Sequence, residues 1–195
     1  MSFLHRRFRA VALALITVGA CGAWTAQAIT IATFADPAAD GSTPLFMLSG
    51  MTLTGGWSAT GLNLLTPGIP APDFPDAHFT LTPLTVSPSG VTSGGSILFT
   101  DASSAPLFTI MFDSGQLSPI AFGATEFLSL NVVSFSGPIV PPGLNMESFA
   151  FSFANQTVTP LGFTATASFT SSAVPEPASI MLLAGGVASL IRRRR

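Results

Sequence analysis

The chain has 195 residues, of which 48% are hydrophobic and only 8% charged, with 16 Pro, 18 Gly, 17 Phe and no Tyr. One domain of ordinary size accounts for that length. The apolar content argues against intrinsic disorder, which needs low hydrophobicity and high net charge. The spread of Pro and Gly argues against a mostly helical protein.

The net charge of −2 conceals a segregation. Every basic residue is Arg, at Arg6, Arg7, Arg9 and then Arg192, Arg193, Arg194 and Arg195. Between Ile29 and Val174 stand eight acids (Asp36, Asp40, Asp73, Asp76, Asp101, Asp113, Glu126, Glu147), with His78 as the only potential cation. Nucleic-acid binding requires cations against phosphate, so no nucleic-acid partner is expected. Ordinary ion pairs cannot form inside this segment, and a buried carboxylate there must be hydrogen-bonded, metal-bound or neutral.

Residues 1–28 read as a signal peptide for the secretion translocon and signal peptidase. A basic start is followed by the short apolar run Ala10–Ala20 and the A-x-A site Ala26-Gln27-Ala28, with cleavage expected after Ala28. The single cysteine, Cys21, leaves with that segment. The competing reading is a loose lipobox, Val18-Gly19-Ala20-Cys21, which would leave a lipidated Cys21 as the new N-terminus.

Period-two alternation predicts strands along 29–173. The runs are Ile29–Phe34, Phe46–Thr54, Trp57–Leu65, His78–Val86, Ser96–Thr100, Phe108–Phe112, Leu117–Phe122, Leu128–Val132, Phe149–Phe153 and Phe163–Phe169. In the Leu128–Val132 run, Leu128, Leu130 and Val132 are expected on the buried face. The phase slips at Val132-Val133 and near Pro83 predict a strand end or bulge. Turns are expected at Asp40-Gly41, Gly55-Gly56, Gly94-Gly95, Ser114-Gly115 and Gly137-Pro138. The predicted fold is all-β, an antiparallel two-sheet sandwich or jelly roll, flanked by an N-terminal signal helix and a short C-terminal hydrophobic helix. Thr66–Asp76 is read as an ordered proline-rich loop anchored by Ile69 and Phe74. Thr170–Ala173 is read as a small-residue spacer.

Three constellations invite chemistry. Asp76-Ala77-His78 puts an acid and an imidazole on one strand face, as a general base with its orienting carboxylate would require. The plainer reading is a polar strand start. Glu126 and Glu147 form a candidate glycosidase pair, whose carboxyl groups would have to flank a bond about 5–10 Å apart. Asp36, Asp40, Asp73 and Asp76 are candidate calcium ligands, though none matches a D-x-D-x-D-G loop. No catalytic residue and no obligatory cofactor is assigned.

The last segment, 174–195, has three parts. Pro175-Glu176-Pro177 is stiff and extended. Ala178–Ile191 is a short apolar stretch, about 21 Å as a helix at 1.5 Å per residue, with a face of small residues. Arg192–Arg195 suits a cytoplasmic stop. This arrangement resembles the PEP-CTERM sorting signal of Gram-negative bacteria. The resemblance implies an exosortase partner that reads Pro175, Glu176 and Pro177, a transient inner-membrane anchor in Ala178–Ile191, and a stop signal in Arg192–Arg195. It also implies a surface or extracellular-matrix destination associated with exopolysaccharide. The function expected is structural or adhesive; the alternatives are a secreted polysaccharide hydrolase and a calcium-dependent carbohydrate-binding module. Because no Lys or Arg occurs between Arg9 and Arg192, trypsin should leave 29–175 as one intact fragment even in urea. An internal tryptic peptide detected by mass spectrometry would contradict this.

Overall fold

The computed structural model describes residues 27–35, 44–57, 62–120 and 124–175. Ala28–Pro175 forms a compact unit of its own, and the description below is of that unit. It is built entirely of antiparallel strands: β1 (Ile29–Phe34), β2 (Phe46–Ser49), β3 (Thr52–Trp57), β4 (His78–Thr85), β5 (Val91–Thr92), β6 (Gly95–Thr100), β7 (Pro106–Phe112), β8 (Gly115–Ile120), β9 (Ala124–Ser129), β10 (Val133–Ser136), β11 (Leu144–Thr159) and β12 (Gly162–Pro175). Among the described residues there is no helix. The expected signal helix and C-terminal helix fall largely on 1–26 and 176–195, outside the described residues.

The all-β antiparallel expectation is met, but the strands form one continuous sheet rather than two. The order is β10-β7-β6-β4-β3-β2-β12-β11-β9-β8-β5, with β1 also paired to β12. β12 makes this possible by its length. Its first half pairs β2 (Gly162↔Ser49 to Ala165↔Phe46), and its second half pairs β1 (Phe169↔Phe34 to Ala173↔Ile29). The sheet curls into a half-barrel, and phenylalanines fill the concave side. Phe112 of β7 meets Phe149 of β11 at 5.0 Å between ring centroids, although five strands separate them in the sheet. Phe99 of β6 lies 5.1 Å from Phe169 of β12, and Phe79 of β4 lies 5.6 Å from Phe34 of β1. Phe151 is fully buried and touches Phe34, Phe46, Phe79, Phe127, Phe149 and Phe169. Phe needs no hydrogen-bond partner, so such a cluster carries no polar obligation.

The alternation read from sequence holds in β7, β11 and β12, where Phe108, Ile110, Phe112, Phe149, Phe151, Phe153, Ala165, Ala167 and Phe169 are buried. It fails in β9. There Phe127 is the inward residue, fully buried, while Leu130 and Val132 are exposed. A Phe ring has more area to hide than a Leu, so Phe127 sets the phase. Leu130–Val132 instead makes the turn into β10, with Asn131 in the left-handed region at φ 32°. Gly55-Gly56 is not a turn but part of β3: a Cβ on Gly55 would sit 2.5 Å from the Phe46 ring, so the glycine makes room for the core. Of the expected strand Trp57–Leu65, Trp57 ends β3, Leu64 and Leu65 make isolated bridges to Phe74 and Thr33 with Leu62 and Leu64 buried, and 58–61 lie outside the described residues. The bulge expected near Pro83 is present, as a register shift between Leu53 and Gly55 against β4.

The Thr66–Asp76 loop is ordered, as expected. Its ends are tied by Leu64 N–H to Phe74 O (3.0 Å) and Phe74 N–H to Leu64 O (2.8 Å), with Ile69 buried beneath. A second polar feature stabilises the sheet. A bulge at Ile31 interrupts the pairing of β1 with β12. The buried Ser171 hydroxyl fills the gap, accepting from Ala32 N–H and donating to Ala32 O, both at 3.1 Å. Edges are managed without lysine. Pro119 stands in β8 beyond its two-residue pairing with β5 and offers no N–H. The free edge of β10 is met by Glu147 of β11, whose carboxylate accepts from Phe135 N–H.

Burial pushes the Glu147 carboxyl above its ordinary range, and the Phe135 N–H only partly offsets this. The native state therefore keeps this proton to higher pH than the unfolded chain does. Its contribution to stability falls as pH rises through the window just above 4.5. Glu147→Gln, which retains an acceptor for Phe135, should flatten that fall. In urea titrations the variant should gain on the parent between pH 4 and pH 7; a loss at pH 7 would contradict the assignment. Phe151→Ala should cost about 4 kcal/mol. Phe163→Ala, at a half-buried position, should cost clearly less in the same titrations.

Candidate functional site

Both expected processing segments border on the same pair of strands. β1 begins at Ile29, the residue after Ala28, and Ile29 is opposite Ala173 of β12. β12 then runs on through Val174 to Pro175, opposite Asn145 and Leu144 of β11. Thr170–Ala173, expected as a spacer, is therefore strand. Thr170, Ser171, Ser172 and Ala173 all pair with β1, and Ala173 is fully buried. Small residues fit here because two neighbouring strands and the core close over them. The reading as a spacer rested on side-chain size alone and took no account of pairing. Ala26 lies outside the described residues and Ala28 is exposed. Glu176, Pro177 and Arg192–Arg195 lie outside the described residues.

β11 and β12 part company just before this end. Their register shifts between Asn145 and Ser148, leaving Met146 and Glu147 in a bulge opposite Ala173. Met146 has φ 51°, unusual for a residue with a side chain, and is 83% exposed. Beyond the bulge, Val174 and Pro175 have register partners on β11 only, among the described residues.

The other candidates are scattered. His78 opens β4 opposite Thr100 and is half-buried. Asp76 is not on its strand face, because it sits in a turn at φ 55°. The acid whose charge is felt with that of His78 is Asp101. The Ser103 hydroxyl, then the Ala105 and Ser103 N–H groups, hold the Asp101 carboxyl below its usual range, and His78 adds to this. The three donors lie 2.7, 2.9 and 2.8 Å away, all on one oxygen. Asp101-Ala102-Ser103 is an Asx-turn spacing, and that signal was present in the sequence. Asp73 accepts from Thr66 N–H at 3.0 Å and so serves as the brace of the proline-rich loop. Asp36 and Asp40 lie outside the described residues. No three His, Cys, Asp or Glu side chains gather around one point among the described residues.

Glu126 is opposite Ser152 of β11, next to the inward Phe127 and hence on the outer face. Glu147 lies five residues from Ser152 along β11, about 16 Å at roughly 3.3 Å per residue. The two carboxyl groups are not side by side. An open trough of about 360 Å³ runs over the outer face of β1, β11 and β12. Thr33, Leu65, Ser152, Ser168 and Thr170 are among its walls, and His78, Glu126 and Glu147 are not. No helix among the described residues is long and apolar enough to cross a membrane.

No curated protein and no solved structure matches the chain. One family does match: residues 173–195 fit the PEP-CTERM protein-sorting motif. The match starts at Ala173, so its first three residues are the last three of β12. The motif implies export, membrane anchorage and exosortase processing. The chain thus carries, directly joined to its folded β unit, the PEP-CTERM sorting motif of an exported, exosortase-sorted protein.

Proposed function

We propose that residues 29–173 are the cargo of this sorting system: a rigid β unit with a structural or adhesive role at the cell surface or in the extracellular matrix. In this reading the translocon delivers the chain and signal peptidase cuts after Ala28. Exosortase reads Pro175, Glu176 and Pro177 while Ala178–Ile191 holds the precursor in the inner membrane and Arg192–Arg195 stay in the cytoplasm. The observation that carries the reading is the sorting motif at 173–195, continuous with a strand that lies beside the first residue of the mature chain. A folded unit whose two ends leave side by side suits a precursor tethered at both ends, since neither tether must thread through the fold.

The role of the unit itself is argued from its surface. The segment lacks the cations that would bind anionic polymers directly. Three of its carboxylates are spent on turns and edges: Asp101 on the β6–β7 turn, Asp73 on the proline-rich loop and Glu147 on the edge of β10. The trough is lined by hydroxyl-bearing and apolar residues, Phe34 and Phe169 among them, and by no titratable group. These features favour contact by a stiff surface with an uncharged trough over hydrolysis, with exopolysaccharide as the neighbouring material and no cofactor.

The test is intact-mass analysis of the protein from cells with and without exosortase. With the enzyme, the surface form should begin at Ile29 and lack Arg192–Arg195. Without it, or with Pro175, Glu176 and Pro177 all replaced by Ala, the precursor should keep the arginines and remain in the membrane fraction. A surface form that still carries the four arginines would refute the proposal.

A further inference from the structure

We infer that folding gates the sorting reaction: the bulge at Met146-Glu147 is a hinge, and the last residues of β12 must swing off β11 before the processing enzyme can take the tripeptide. The inference rests on the sorting reading above and goes beyond it in naming what controls access to the motif.

The motif is not on a free linker. Val174 and Pro175 are strand residues opposite Asn145 and Leu144. A processing enzyme that reads a peptide needs that peptide extended and its backbone donors and acceptors available. A backbone group paired with β11 cannot pair with the enzyme at the same time. Binding to the enzyme and completion of the sheet therefore compete for the same few atoms.

The local geometry shows where the strand yields. Ala173 is fully buried and paired with Ile29 of β1, so β12 is clamped up to that point. Immediately beyond it the clamp weakens in three ways. β1 ends, so Val174 and Pro175 have a register partner on one side only among the described residues. Pro175 has no N–H to give to the ladder. The bulge opposite Ala173 separates the two final pairings from the continuous ladder that resumes at Ser148↔Ser172. Met146 holds the bulge in a left-handed conformation and leaves its side chain in solvent, which is an arrangement with little to lose on rearrangement. Segments held by few buried contacts open locally without global unfolding. The hinge thus lets two residues detach while Ala173 keeps the body of the unit closed.

The experiment uses the full chain in an exosortase-bearing host and two cross-strand staples. Asn145→Cys with Val174→Cys joins the strands beyond the hinge. Ser148→Cys with Ser172→Cys joins them on the clamped side, where the two hydroxyls are already 2.9 Å apart. Disulfides persist in the oxidising compartment outside the cytoplasm, and Cys21 is replaced by Ser in both variants. The first staple, when oxidised, should slow loss of the arginine tail at least tenfold, with normal processing restored by a membrane-permeant reductant. The second, with its disulfide confirmed by mass, should be processed like the parent. Parent-like processing of the oxidised first staple would overturn the hinge, and so would equal blockage by both staples. An unstapled parent that keeps its tail in this host would instead remove the sorting reading, and the hinge with it. Hydrogen exchange on the parent precursor gives a readout that needs no variant. The Val174 amide should exchange about a hundredfold or more faster than that of Ser171, as a local opening against a clamped strand requires. Equal protection at the two positions would refute the hinge.

Discussion

The unit depends on one hairpin. β11 and β12, of 16 and 14 residues, are joined at Thr159↔Gly162 and carry Phe149, Phe151, Phe153, Phe163 and Phe169 on one side. Every other part of the sheet is placed by this element. β2 and β1 take successive halves of the free edge of β12, and β9 takes the outer edge of β11. The β4–β6–β7 arm then closes over the rings, because Phe79, Phe99 and Phe112 find their stacking partners on the hairpin and on β1 rather than on one another alone. Burying phenylalanine at tens of cal/mol per Å² is the force that curls the sheet.

That dependence follows from the charge segregation. With no Lys or Arg from Arg9 to Arg192, the unit has no ion pair to specify its register. Register is instead set by features that break the alternation at chosen points. Ser171 fills the gap at the Ile31 bulge, Gly55 opens a space for Phe46, and Asn155 at φ 49° turns to cap Thr166 with a 3.0 Å hydrogen bond. Three of the unit's carboxylates likewise have local tasks that need no cation. Asp101 and Asp73 accept backbone N–H groups in loops, and Glu147 meets the edge of β10 at the cost of a raised pKa.

These same features decide what was legible beforehand. Strand identity in β7, β11 and β12 was readable because Phe recurs every second residue and dominates burial. The phase of β9 is ambiguous in the sequence because Phe127 and the series Leu128, Leu130, Val132 alternate in opposite phase, and only area distinguishes them. The Gly55-Gly56 pair reads as a turn by composition, whereas the requirement Gly55 meets is the close approach of the Phe46 ring from the neighbouring strand β2. One sheet and two packed sheets give the same strand pattern, so the continuity through β12 had no signature in the sequence. At the site, the tripeptide and its flanks were readable as chemistry. That Val174 and Pro175 would be strand residues was not, because pairing with Asn145 and Leu144 is set thirty residues away.

The overlap between fold and signal has a physical rationale. A signal on a long linker would be equally accessible in folded, misfolded and unfolded precursors. Here the last residues of β12 pair with β11 at the end of the hairpin that carries the Phe core. β1, whose first residue follows the expected signal-peptidase site, is the other neighbour of Ala173 and completes the clamp. The state of the strand at Val174 therefore reports on both the core and the start of β1, through contacts next to Pro175, the first residue of the tripeptide. The bulge at Met146-Glu147 confines that report to two residues, small enough to reverse without unfolding the unit.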